Sequence, residues 1–237
     1  MVSAMQHCGM KSWAVDHTYS LPVNEEMNNP SLEIDEISPM SKRNLSIFQA
    51  FKHNMRQGVF TPIQIIHDEN FGFSVKALSC MPRHTVSTVV YWNVFVHSCS
   101  FFSEIAYLPP FLPMAKIVGE YLGEIVTMEQ SSHSSSDSLM VLLDTGDPKT
   151  SLIIDPTLVG NTARFLSGVN NRSLMSKRKA NVRTRRFVMD GKMHVCLFTC
   201  RRVEAGEILT YDYNAGNEGK DVGQWANSGF YDTSNFF

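Results

Sequence analysis

The sequence predicts a mostly β (β+α) domain of short strands with one helix ahead of it. Three observations carry this. Short apolar runs with a period of two recur between turn signals, at 63–67, 71–78, 117–126, 139–143, 151–155, 182–188 and 194–200. Two pairs of these runs are joined by hairpin signals, Gly146-Asp147-Pro148 and Asp190-Gly191. A helical stripe runs through 42–57, where Leu45, Phe48, Phe51 and Met55 share one face, Ser41 is placed to cap the start and Gly58 to stop the end.

Composition bounds the function. A chain of 237 residues, 43% hydrophobic and 19% charged, can build one domain with a sizeable core. A net charge of -2 gives no overall attraction to nucleic acid. The cysteines, Cys8, Cys80, Cys99, Cys196 and Cys200, are scattered and form no Cys-x-x-Cys pair, so neither a disulfide framework nor a metal site is expected. The alternation of 194–200 puts Cys196 and Cys200 on one strand face, as core residues. A reducing compartment follows, and the N-terminus lacks the basic-then-apolar pattern of a signal peptide.

The chain divides into five stretches. Residues 1–40 are polar and acidic, with Glu25, Glu26, Glu33, Asp35 and Glu36 among prolines, and are expected to be mobile. The helix occupies 41–60 and the β domain 61–215. An aromatic tail, 216–237, contains Trp225, Phe230, Tyr231, Phe236 and Phe237; it either closes over a ligand or frays. Residues 86–116 interrupt the domain with an aromatic, almost uncharged segment. It reads as a genuine insertion or as a retained intron translated in frame. Asn93, His97 and the prolines at 109, 110 and 113 make it a poor membrane span, and no membrane partner is expected.

Two strings carry the chemistry. One runs Gly160-Asn161-Thr162-Ala163-Arg164-Phe165-Leu166-Ser167-Gly168-Val169-Asn170-Asn171. The other runs Gly206-Glu207-Ile208-Leu209-Thr210-Tyr211-Asp212-Tyr213-Asn214. In this order, with a β hairpin between them, they resemble the two halves of the knot-like active site of SET-domain protein lysine methyltransferases. Arg164-Phe165, Gly168 and Asn170-Asn171 are closest to the trithorax-related branch of plants and protists that monomethylates lysine 27 of histone H3. Ile154-Asp155-Pro156 upstream and Gly72-Phe73-Ser74-Val75 also fit. The similarity covers about 40–85 and 117–215. Ser167 departs from it, standing where the branch carries asparagine.

The resemblance implies S-adenosylmethionine as methyl donor, without a metal. It places Gly72, Phe73, Arg164, Phe165, Ser167, Gly168 and Tyr213 at the cofactor, with Gly72 letting backbone approach the methionine part. Tyr213 is expected beside the reacting amine, Tyr211 as the residue that limits the number of methyl groups, and Tyr121 in the channel wall or in packing. Asp155 and Glu207 are assigned to structure. The implied protein is a nuclear, chromatin-modifying histone lysine methyltransferase acting on the histone H3 tail or nucleosome. The basic run Arg172, Lys177, Arg178, Lys179, Arg183, Arg185 and Arg186 (172–186) reads as a solvated face, an import signal or a non-specific contact to DNA phosphates. The alternatives are a methyltransferase of a non-histone protein and an inactive SET module that binds proteins.

Overall fold

The computed structural model describes residues 2–37, 40–69, 72–81, 117–134, 136, 138–169 and 180–212. In chain order its elements are α1 (Val2–His7), β1 (Ser12–Trp13), β2 (Thr18–Tyr19), α2 (Lys42–Arg56), β3 (Ile63–Asp68), β4 (Gly72–Ala77), β5 (Ile117–Glu120) and β6 (Gly123–Thr127). There follow α3 (Met128–Ser131), β7 (Met140–Leu143), β8 (Leu152–Gly160), β9 (Ser167–Gly168), β10 (Val182–Met189), β11 (Lys192–Thr199) and β12 (Ile208–Tyr211). Short 3-10 turns lie at Glu25–Met27, Pro30–Leu32 and Thr162–Phe165.

The strands form three small sheets. One runs β1-β8-β6-β2, with β7 also paired to β8; the second runs β10-β11-β5; the third runs β3-β4-β12-β9. The period-2 runs become strands because alternate residues have a core to face. Val75, Leu142, Leu152, Ile154, Val195, Leu197 and Leu209 all lie in one buried cluster. The β10–β11 hairpin turns where predicted, and both turn residues take left-handed backbone, Asp190 at φ 51° and Gly191 at φ 74°. β7 and β8 pair antiparallel across the predicted connection. Cys196 is fully buried, whereas Cys200 lies past the end of β11 and donates its thiol to the Ala180 carbonyl at 3.2 Å.

Two expectations change. Residues 2–37 are built into the fold rather than mobile. β1 pairs parallel with β8 and β2 parallel with β6, so this segment covers the β6 edge of the first sheet and, beyond β7, the end of the β8 edge. Its acidic residues find partners: Glu33 and Asp35 take Arg186 at 2.8 and 3.2 Å. The predicted helix forms as α2, capped by Ser41 Oγ, which accepts from Asn44 N at 3.2 Å. It is not an extension, however. Phe48 packs edge-on to Phe187 at 4.9 Å, and Ile47 joins Ile117, Cys196 and Phe198 in a buried cluster beneath the second sheet.

Lys52 lies on that same buried face and brings a charge inward. Its Nζ sits 2.9 Å from Glu120 Oε2 and 2.7 Å from Asp16 Oδ1. Glu120, on β5, is fully buried, and its Oε1 lies 2.7 Å from His194 Nδ1 on β11 and 4.0 Å from His17 Nε2. Arg56 completes the group by a two-pronged bond to Asp16, each contact 3.1 Å from Nη2. Burial alone would raise the Glu120 carboxyl; the His194 hydrogen bond and the Lys52 charge outweigh it and hold the group below its ordinary value. Burial also lowers the pKa of His17, to about 4, so its ring stays neutral at physiological pH.

Two outcomes follow for stability. Lys52→Met leaves Glu120 as an uncompensated buried charge and should cost about 3–5 kcal/mol in urea unfolding, while adding Glu120→Gln should recover much of that loss. His17 titrates near 6.5 when unfolded and near 4 when folded, so the unfolded state takes the proton first. Stability should be complete above about pH 6.5 and fall by about 3 kcal/mol toward pH 4; His17→Phe should flatten that slope.

Candidate functional site

The third sheet assembles the motifs. β4 opens on Gly72, paired with Asp68 of β3, with φ 67° and, among the described residues, no heavy atom beyond its chain neighbours within 4 Å of where a Cβ would stand. A side chain would have room there but strained backbone, so glycine is demanded by conformation and leaves the main chain open to approach. Ser74, two residues on, is fully buried, and its Oγ lies 3.1 Å from Ser167 Oγ on β9. β12 runs between these two strands. It is antiparallel to β4, with Leu209 opposite Val75, and parallel to β9, with Thr210 opposite Ser167 and Tyr211 opposite Gly168.

The two strings, some forty residues apart in the chain, therefore meet in one sheet. Continuing the β4–β12 register puts Tyr211 level with Phe73. Tyr211 is buried, and its carbonyl accepts from Val169 N at 3.0 Å. Asn181 fastens β12 from the other side. Its Nδ2 donates to the Ile208 carbonyl at 2.8 Å, its Oδ1 accepts from Thr210 N at 2.8 Å, and its own N–H donates to the Thr210 carbonyl at 3.1 Å. Glu207 organises the turn into β12: it accepts from Arg201, from Asn181 Nδ2 at 3.1 Å and from Glu204 N at 3.0 Å. The Arg201 hydrogen bond, opposed by partial burial and helped by the Glu204 backbone and Asn181, lowers its pKa to about 2. The structural role expected of Glu207 is what the contacts describe.

Phe73 and Phe165 meet edge to face at 5.5 Å. Arg164 lies behind them, its guanidinium 5.4 Å from the Phe165 ring centre. That guanidinium donates to the carbonyls of Pro156 at 2.8 Å and Thr157 at 3.2 Å. Arg164 thus clamps the 3-10 turn to β8, with its charge already engaged by protein carbonyls. Asp155 is likewise structural, accepting from Thr157 N at 2.9 Å and Ser134 Oγ at 3.3 Å.

Tyr121 follows Glu120 directly and is almost completely buried. Its hydroxyl donates to the Ser138 carbonyl and its N–H to the Val195 carbonyl at 2.8 Å. Asn161 Nδ2 donates to the Glu120 carbonyl at 2.8 Å. Tyr121 is therefore buried beside Ser138, with its hydroxyl bonded to a protein carbonyl.

Tyr213, Asn170, Asn171, the segment 86–116 and the aromatic tail lie outside the described residues, as do Arg172, Lys177, Arg178 and Lys179 of the basic run. Of the rest of that run, Arg183 is exposed on β10 and Arg186 is committed to Glu33 and Asp35. Among the described residues no group of three His, Cys, Asp or Glu side chains is placed to hold a metal, and no helix is long and apolar enough to cross a membrane.

Sequence reasoning missed the charge cluster of Glu120, Lys52, His17 and His194, and the fastening by Asn181. A signal existed for Lys52, which lies four residues after Phe48 on the apolar face of α2. None existed for its partners, which come from three distant parts of the chain.

The family profile of the SET domain matches residues 110–214. The probable histone-lysine N-methyltransferase ATXR5 of Ricinus communis is 27% identical over 215 residues, which are 90% of this chain and 49% of that protein. ATXR6 of Arabidopsis thaliana, also a histone-lysine N-methyltransferase, is 28% identical over 188 residues, 79% of this chain and 45% of its own length. The chain thus spans about half the length of the curated relatives it matches. A crystal structure of ATXR5 in complex with histone H3.1 superposes with a TM-score of 0.72 at 26% identity, covering 90% of this chain and 85% of that one. Sheets, motifs and these likenesses agree: residues 110–214 match the SET domain, and the chain is similar to the histone-lysine N-methyltransferases ATXR5 and ATXR6.

Proposed function

We propose that this protein is a nuclear, S-adenosylmethionine-dependent histone-lysine N-methyltransferase that adds one methyl group to lysine 27 of histone H3. The observation that carries this reading is the convergence of Gly72–Ser74, Ser167–Gly168 and Tyr211 on neighbouring strands. The histone partner is drawn from the relatives, and the target lysine from the resemblance of Arg164-Phe165, Gly168 and Asn170-Asn171 to the lysine-27 branch.

The site residues fit the donor. Gly72 presents unobstructed backbone, Phe73 and Phe165 supply an apolar wall, and the backbone of Ser167 and Gly168 continues it. We assign cofactor contact to Gly72, Phe73, Phe165, Ser167, Gly168 and Tyr213, and a supporting role to Arg164. Ser167, in place of asparagine, gives its hydroxyl to Ser74 and leaves a backbone contact to the donor intact. S-adenosylmethionine, when bound, supplies a methyl group on a positively charged sulfur.

The chain's part is to deliver a neutral amine in line with that methyl. An apolar channel strips water from the lysine ammonium and lowers its pKa, favouring loss of the proton before transfer. The Tyr213 hydroxyl orients the amine and stabilises changing charge beside it rather than acting as a strong base. The buried Tyr211 occupies space that a methylated amine needs to turn into line again. Attraction of a basic histone tail calls for acidic side chains, while exposed Arg183 and the basic residues before it are suited to DNA phosphates.

Tyr213→Phe should lower methyl transfer by about 100-fold or more while binding of S-adenosylmethionine stays near wild type. A radiolabelled-methyl assay paired with calorimetry checks both, and full turnover by the variant would remove Tyr213 from the mechanism. Tyr211→Phe should shift the product from monomethyl-lysine toward di- and trimethyl-lysine, read by mass spectrometry of the histone. A wild type that readily makes trimethyl-lysine would refute the steric account. Absence of any binding of S-adenosylmethionine would instead favour the inactive protein-binding module.

A further inference from the structure

Phe73 is held from two sides. Its inner edge meets Phe165, as described. On its outer side stand two histidines: His67, on β3, with ring centres 4.7 Å apart at an interplanar angle of 62°, and His7, at the end of α1, at 5.2 Å and 72°. The two imidazoles lie 5.6 Å from each other. Both histidines are exposed, while Phe73 is half-buried. Four rings therefore form one continuous array, from the N-terminal helix to the cofactor motif.

The position of His7 is fixed by its own helix. Ala4 is buried in the main core, and Met5 and Cys8 pack against that core. Just beyond α1, Lys11 N donates to the Leu158 carbonyl at 2.8 Å, tying the segment to β8. His67 is fixed by the hairpin register, directly opposite Phe73. Without these neighbours Phe73, which follows a glycine at positive φ, keeps Phe165 and the core beneath it but loses the ring contacts on its outer side. Edge-to-face contacts favour one ring orientation, and a ring already oriented loses less freedom when a ligand packs on it.

We propose that His7 and His67 are positioning residues for the cofactor wall: they hold the Phe73 ring in the orientation that receives S-adenosylmethionine, and through His7 the N-terminal helix takes part in cofactor binding. The inference rests on the methyltransferase reading above. It extends that reading to a residue more than a hundred positions before the stretch that matches the SET profile.

The test is calorimetric binding of S-adenosylmethionine to the full chain, with thermal unfolding measured on the same samples. The double variant His7→Ala/His67→Ala should bind about tenfold more weakly, the loss expected from two aromatic contacts of this kind. The ring-keeping variant His7→Phe/His67→Phe should stay within about twofold of wild type, since edge-to-face packing does not need an imidazole. A role confined to folding would lower the melting temperature of the alanine variant without this split in affinity. Wild-type affinity in the alanine variant overturns the proposal while leaving the methyltransferase reading in place. Failure of the wild type itself to bind overturns both. Should the double variant fold poorly, His67→Ala alone carries the same comparison against His67→Phe.

Discussion

A buried carboxylate sets the terms for the rest of this structure. Glu120 has no access to solvent, and an ionised carboxyl there survives because His194 and Lys52, the latter itself held by Asp16, are delivered to it. Those partners come from the N-terminal segment, α2 and β11. Satisfying one charge thus fixes the relative placement of three parts of the chain, which hydrophobic contacts alone leave free to slide. It also anchors the strand whose next residue is Tyr121, and whose carbonyl at Glu120 holds Asn161 at the head of the first motif. Electrostatics in the core and geometry at the site are linked through one backbone unit.

The site rests on a second constraint, the confinement of β12. Its edges are taken by β4 and β9, and Asn181 holds both its N–H and C=O groups at Thr210. A strand so enclosed has little freedom in register, and a slip of one residue would turn Tyr211 away from the site. Glu207, with its depressed pKa, and the Arg201 contact hold the turn that feeds the strand. Residues that never meet the substrate therefore determine where the tyrosine string is presented.

Much of this was legible from residue order. The β10–β11 hairpin was visible in Asp190-Gly191 between two alternating runs, and α2 in the spacing of Leu45, Phe48, Phe51 and Met55, because local periodicity and turn chemistry act over a few residues. The convergence of the two strings was legible through resemblance, since no local rule pairs β9 with β12. The N-terminal segment was misread. Its acidic, proline-containing composition resembles that of mobile chain, but Glu33 and Asp35 meet Arg186, some 150 residues later, and Trp13 and Tyr19 lie in edge strands too short to show a period. The Glu120 cluster was hidden for a related reason. Burial of a charge is decided by partners distant in sequence, and composition carries no record of who those partners are.

The proposed activity is transfer of a methyl group to a histone lysine. Its most direct test is intact-mass spectrometry of a histone H3 tail peptide incubated with the purified chain and S-adenosylmethionine, beside a peptide carrying arginine at position 27. The account predicts a single added methyl group on the first peptide and none on the second. No added mass on either peptide or on whole nucleosomes, from a folded protein, would contradict it.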